Sequence, residues 1–133
     1  MKTVCLETAR KLAESGCPQE SERYYLKLDS WREVKLVSKE TWSDLRLLEH
    51  VDHKRLAEYD YSAYCACELL EQLPKIIYVS CSNSSNSFHL YIDANNLYDW
   101  TVGYTSYHHN NNVSLAEACA ELWLWCKKEG YIK

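Results

Sequence analysis

Apolar positions in this sequence follow two periods, and the clearest helical one closes the chain. Leu115, Ala118, Cys119, Leu122, Trp125 and Cys126 recur at the spacing of an amphipathic helix. Signals at both ends bound it. The Ser114 side chain can accept the N–H of Glu117 while the Glu117 carboxylate reaches back to the Ser114 N–H, a capping box. Lys127 and Lys128 meet the negative end of the helix dipole. Gly130 takes the left-handed C′ position most cheaply, which places Tyr131 over Cys126 in a Schellman ending. One residue breaks the stripe. At about 100° per residue, Leu124 projects among Glu117, Glu121 and Lys128, with Trp123 on the flank. A single exposed Leu is ordinary on protein surfaces; the sharper reading makes Trp123 and Leu124 an interface, for a partner protein or for a second copy of the chain.

The remaining elements follow in order. Thr3 caps a first helix to about residue 15, with Cys5, Ala9, Leu12 and Ala13 on one face. Gly16 ends it, Cys17 is placed to touch Leu12, and Pro18 prevents continuation. Arg23–Leu28 alternates as a strand, Asp29-Ser30 turns, and Arg32–Ser38 returns as the second strand of a hairpin. Residues 39–61 resist assignment. Trp42, Leu45 and Leu48 fit a helix, yet Leu47, Val51 and Leu56 spread around its cylinder. Ser62 caps a helix carrying Ala66, Leu69, Leu70 and Leu73, which Pro74 stops. Ile76–Cys81 reads as a strand, followed by a turn-forming run at Ser82–Ser87. Phe88, Leu90 and Ile92 alternate in a second strand, Asn95-Asn96 turns, and Trp100, Val102 and Tyr104 alternate in a third. The polar tract His108–Asn112 then links to the last helix. This pattern predicts a single α+β domain over 1–133, with an antiparallel sheet of about five strands, a hairpin plus a three-stranded meander. The N-terminal, central and C-terminal helices pack on one side of it.

Composition narrows the function classes. A length of 133 residues suffices for a core without staples. The formal net charge of −4 disfavours a nucleic-acid role, which calls for a clustered basic face. No apolar run is long enough to span a membrane, and Met1-Lys-Thr-Val leads into a helix rather than a signal peptide. Seven cysteines are an odd count, and Cys5, Cys119 and Cys126 sit on apolar helix faces, which suits free thiols in a reducing cytoplasm. Eleven Tyr and five Trp against one Phe favour half-buried sheets and partner surfaces, because each ring joins an apolar body to a polar tip.

Leu12-Ala-Glu-Ser-Gly-Cys-Pro-Gln19, Glu68-Leu-Leu-Glu-Gln-Leu-Pro-Lys75 and Ser114-Leu-Ala-Glu-Ala with Leu122-Trp-Leu-Trp-Cys-Lys-Lys-Glu-Gly-Tyr131 together carry a likeness. In these segments the chain resembles small uncharacterised proteins carried by phages and prophages of gut bacteria. The likeness covers both ends and the centre, and residues 41–61 depart from it. It implies a phage gene product made in the cytoplasm of a bacterial host, and it brings no activity and no site residues.

The candidate chemistry is sparse. In Glu49-His-Val-Asp-His53, a helix would set His50 and His53 at neighbouring positions, able to share an ion with Asp52 or Glu49. Two imidazoles make an incomplete site, so neither metal nor cofactor is expected. Cys65-Ala-Cys67 lacks the gap of a zinc knuckle or redox motif. Cys81 and His89 on adjoining strands would imitate a nucleophile and base, a pairing that rests on geometry. His108-His109 reads as a polar loop. No catalytic residue is assigned. The reading preferred here is a protein-binding accessory factor that engages a host or phage protein through an aromatic sheet face or the Trp123–Leu124 flank. The alternatives are a small cysteine- or metal-dependent enzyme and a nucleic-acid-associated factor.

Overall fold

The two periods build an α+β architecture of helices and antiparallel sheets. The computed structural model describes residues 2–81, 84–94 and 99–133, the side chains of residues 81, 84 and 85 excepted. In chain order the elements are α1 (Leu6–Glu14), β1 (Arg23–Leu28), β2 (Lys35–Ser38), α2 (Lys39–Asp52), β3 (Ala57–Ser62), α3 (Ala66–Gln72), β4 (Ile76–Cys81), β5 (Ser84–Ala94), β6 (Trp100–Tyr104), β7 (His108–Asn112) and α4 (Leu115–Glu129). The strands form two sheets, ordered β2-β1-β3 and β4-β5-β6-β7. They belong to two compact units. One is Thr3–Tyr64; the other is Cys65–Lys133, which Lys2 joins. Among the described residues no helix is long and apolar enough to cross a membrane.

In the N-terminal unit, β1 is the central strand. It pairs antiparallel with β2 from Arg23↔Ser38 to Leu26↔Lys35, the expected hairpin, although β2 starts only at Lys35. Its other edge pairs with β3, from Tyr24↔Ser62 to Leu28↔Ala57. Leu26, Leu45 and Ala57 form one core cluster of this unit, with Leu28, Trp31, Val37 and Leu56 packed against it; Val4, Ala9, Leu12, Tyr24 and Tyr64 are buried as well. Residues 39–61 thus hold two elements rather than one. Ser38 caps α2 by accepting the Thr41 N–H, and β3 had no legible signal because Ala57-Glu-Tyr-Asp-Tyr-Ser62 mixes charges and aromatics. Two expected caps also move. Cys5, not Thr3, precedes α1. Ser62 ends β3 in full burial, while Cys65 takes the N-cap of α3 with its N–H donated to Glu68 Oε1 at 2.9 Å.

In the C-terminal unit, β5 serves two neighbours in succession. Ser84–His89 pairs with β4, and Leu90–Ala94 pairs with β6. Ser84–Ser87, expected in a turn, therefore starts a strand; Ser82, Asn83 and the expected Asn95-Asn96 turn lie outside the described residues. His108–Asn112, read as a polar link, is β7, in register with β6 from Trp100↔Asn112 to Tyr104↔His108. The turn between them is closed by the Tyr107 N–H donating to Tyr104 O at 3.0 Å, with Ser106 in the left-handed region at φ 60. Gly103 faces His109 across this pair. A Cβ there would lie 2.3 Å from His108 O and 2.6 Å from His109 Cα, so the approach of β7 requires glycine.

Helix α4 packs on α3, β6 and β7. Ser114 Oγ accepts the Glu117 N–H as expected. The Ser114 N–H goes instead to Asn112 Oδ1 at 3.0 Å, so β7 supplies the half of the cap that the sequence assigned to Glu117. The C-terminal end is a full Schellman motif: Tyr131 N–H donates to Cys126 O and Gly130 N–H to Lys127 O. Helix α1 ends the same way, with Cys17 to Leu12 and Gly16 to Ala13, and Cys17 and Leu12 are both buried. Helix α2 ends on left-handed His53 at φ 52, with the Lys54 N–H donated to Glu49 O. His and Asn tolerate that conformation best after glycine, and for that reason the sequence hid this ending.

Candidate functional site

The last helix is buried on two stripes rather than one. Ala118, Cys119, Leu122 and Cys126 form the expected one; Ala116, Ala120 and Trp123 form a second. Trp123 is 1% exposed. It is a core residue, which corrects its reading as part of an exposed interface, and its indole N–H has no acceptor among the described residues. Leu124 is half-buried. The spacing misled because alanine reads as neutral, so the Ala116–Ala120 stripe that continues to Trp123 did not register as a second buried side.

Trp125, assigned to the core, is instead the centre of a half-exposed aromatic cluster. His108 from β7 stacks on it with ring centroids 4.0 Å apart and planes 5° from parallel. Tyr131, placed by the Schellman ending, lies at 5.5 Å, and Tyr107 meets it edge-on at 6.0 Å. Phe88 from β5 stacks on Tyr107 at 4.6 Å and 19°. Beneath them Tyr104 approaches Trp125 at 6.2 Å, donates its hydroxyl to Pro74 O at 2.8 Å and lies 3.5 Å from Cys126 Sγ. These contacts place the rings in the offset and edge-to-face arrangements that aromatic quadrupoles favour. Tyr104 is fully buried, Tyr107 is 46% exposed, and Phe88, His108, Trp125 and Tyr131 are intermediate.

Electrostatics follow from this partial burial. Desolvation lowers the His108 pKa, helped by His109 and opposed by Glu129, so the ring stacked on Trp125 is neutral near pH 7. Desolvation also pushes the Tyr131 hydroxyl up to about 12, with Tyr107 and Glu129 adding to the rise. The cluster is therefore an uncharged aromatic surface with hydroxyl and imidazole edges. It can stack, donate and accept, but it contains no activated nucleophile.

The chemically suggestive pairs come out differently. His50 and His53 are brought together, their ring centroids 6.4 Å apart. They line a cleft of about 330 Å3 with Arg46, Glu49, Lys54 and Arg55. Three cations surround them, and the one carboxylate is engaged: Glu49 Oε2 accepts the N–H groups of Leu56 at 2.7 Å and Ala57 at 3.1 Å. Burial alone would raise the Glu49 carboxyl. Those two donors, Arg46 and Arg55 outweigh it and hold the pKa below its ordinary value. Glu49 therefore fastens the start of β3 to α2. Among the described residues no group of three or more His, Cys, Asp or Glu is placed to hold a metal ion.

Cys81 and His89 do not meet. Cys81 pairs with Ser84 and His89 with Ile76, five ladder positions apart, or about 16 Å along the strands. The Cys81 side chain itself lies outside the described residues. Cys65 and Cys67 flank a cavity of about 230 Å3 with Trp100, Val113 and the first turn of α4. Burial raises the Cys65 thiol and pushes the Cys119 thiol up to about 12, the neighbouring Cys67 and Cys65 adding to the latter. Buried thiols of this kind are poor nucleophiles at neutral pH. No family model, curated protein or solved structure matches the chain.

Proposed function

We propose that this protein is a non-catalytic protein-binding module and that the aromatic cluster centred on Trp125 is its contact surface. The observation that carries this reading is the contiguity of Phe88, Tyr107, His108, Trp125 and Tyr131, all partly exposed and all in ring contact. Tyr and Trp are enriched where binding energy concentrates, because rigid amphipathic rings bury large area at low entropy cost. A cluster preassembled on β5, β7 and the end of α4 would lose little further freedom on binding. The likeness to phage and prophage proteins makes a protein of the bacterial host or of the phage the partner class to test.

The test is capture from host lysate by immobilised intact protein, followed by mass spectrometry, with Tyr107→Ala and Trp125→Ala as controls. Tyr107 is exposed enough that its loss leaves the fold intact. A partner retained by wild type and reduced at least roughly tenfold by Tyr107→Ala supports the reading. A partner retained equally by both variants places the contact elsewhere and overturns it.

A further inference from the structure

Histidine stands where two other helices of this chain use glycine. Helices α1 and α4 close through left-handed Gly16 at φ 88 and Gly130 at φ 87, whereas α2 closes on left-handed His53 at φ 52. A side chain at such a residue carries a steric cost that glycine avoids, and backbone of this kind collects at ligand sites. Here the His53 ring lies 6.4 Å from that of His50, on the cleft of about 330 Å3 at the end of α2. We propose that this cleft binds the phosphoryl group of a small organic phosphate.

The electrostatics select an anion. Arg46, Lys54 and Arg55 line the cleft with the two imidazoles, and Glu49 is the one acid among them. Its carboxylate is engaged, Oε1 by Arg46 at 3.1 Å and Oε2 by the N–H groups of Leu56 and Ala57. Arg46 also meets Asp60, which holds it in place. Among the described residues no carboxylate lies within ion-pair distance of Lys54 or Arg55. Arg55 Nε donates to Ala57 O at 2.9 Å, which fixes the guanidinium and leaves its two terminal nitrogens for a pair of phosphate oxygens. Each imidazole can donate an N–H, whatever its charge. The same three cations repel a metal ion from the histidines. Cations beyond the end of α2 also complement its dipole, but any basic side chain serves that role, and it does not call for histidine at a left-handed residue.

A second cleft, of about 390 Å3, shares Lys54 and Arg55 with the first and adds Leu28, Leu56, Asp29 and Ser30. That mixed lining suits a body with an apolar part and hydroxyl groups, such as a nucleoside. The phosphoryl group therefore takes the histidine side and the organic body the leucine side. Both clefts belong to the N-terminal unit, so the site is separate from the aromatic surface.

Carbon–proton NMR of the imidazole rings in the intact protein tests the assignment. Inorganic phosphate, added at constant ionic strength so that screening is fixed, should shift the His50 and His53 signals and saturate below about 10 mM. Those of His89, His108 and His109 should stay in place. Adenosine monophosphate should bind at least roughly threefold more tightly, because its body fills the second cleft. Read on His50, His53→Gly should weaken both ligands roughly three- to tenfold without lowering the melting temperature, since glycine takes the turn freely. Arg55→Gln should weaken them by a similar factor. Shifts that stay linear to about 50 mM, or affinity unchanged in both variants, overturn the site. Adenosine monophosphate binding no tighter than phosphate overturns the second cleft and, with it, the organic ligand.

Discussion

The two units use helices in opposite ways. In the C-terminal unit α4 is buried on two stripes and exposes little beyond Glu121, Lys128 and Glu129. In the N-terminal unit α2 buries Leu45 and turns Leu47, Leu48 and Val51 outward. Both helices are rich in leucine or tryptophan, so hydrophobic content does not say which is structural. What differs is the opposite face. That of α4 carries buried Ala116, Ala120 and Trp123, and that of α2 carries branched side chains rimmed by charge.

The sharpest way to break this contrast is to truncate a leucine on each helix. Leu122→Ala removes fully buried methyl groups and should cost roughly 2–5 kcal/mol in urea unfolding. A loss below ~1 kcal/mol would mean that α4 is not the core element described. Next comes Gly103→Ala. Its new Cβ meets backbone atoms of β7 that cannot swing aside, so overpacking should cost about 1–3 kcal/mol and preferentially unprotect β6 and β7 amides in hydrogen exchange.

A smaller effect tests the N-terminal unit. Glu49→Gln weakens the two donor contacts that fasten β3 to α2 and should cost about 1 kcal/mol at neutral pH. Because the native carboxyl is held below its ordinary value of 4.5, its contribution is present above that pH and disappears as pH falls through the native pKa. Wild type should therefore lose stability in acid more steeply than Glu49→Gln; parallel acid profiles would show that the carboxylate is not the fastening. His108 has the opposite chemistry with the same direction in pH. Its native pKa lies below 6.5, so the fold disfavours protonation, and stability falls as pH drops below about 6.5 until the native ring is charged. His108→Gln should flatten that part of the profile. The smallest effect is Leu47→Ala, within ~0.5 kcal/mol at dilute concentration, and it completes the comparison with Leu122→Ala.

Much of the architecture could be read from the residues. The Schellman endings at Gly16 and Gly130, the hairpin of β1 and β2 and the helical stripe of α4 each rest on local rules: a residue without Cβ, alternation at period two, apolar spacing at 3.6. The missed elements were fixed by pairing instead. The asparagines of β7 have little strand preference, and tertiary contacts hold them extended: the ladder to β6, the gap at Gly103, and the bonds of Asn111 to Thr101 and of Asn112 to Ser114 and Glu121. The same is true of β3, anchored by β1 and by Glu49. Residues of α2 spread around the cylinder because the helix has two apolar faces, a pattern that periodicity reads as noise. The aromatic cluster was half legible. Tyr131 follows from the Schellman geometry, but nothing in one dimension brings Phe88 and His108 to Trp125.

The distribution of thiols has a practical consequence. Cys17, Cys65, Cys119 and Cys126 are buried, whereas Cys5 and Cys67 are exposed, one in each unit. Brief treatment with a maleimide, after Cys81→Ser, should therefore label those two positions well ahead of the other four. A donor and acceptor dye attached there form a spectroscopic ruler between the units, read by energy transfer in single molecules. The chain carries its own pair of attachment points, so motion of one unit against the other becomes measurable with one substitution and no added cysteine.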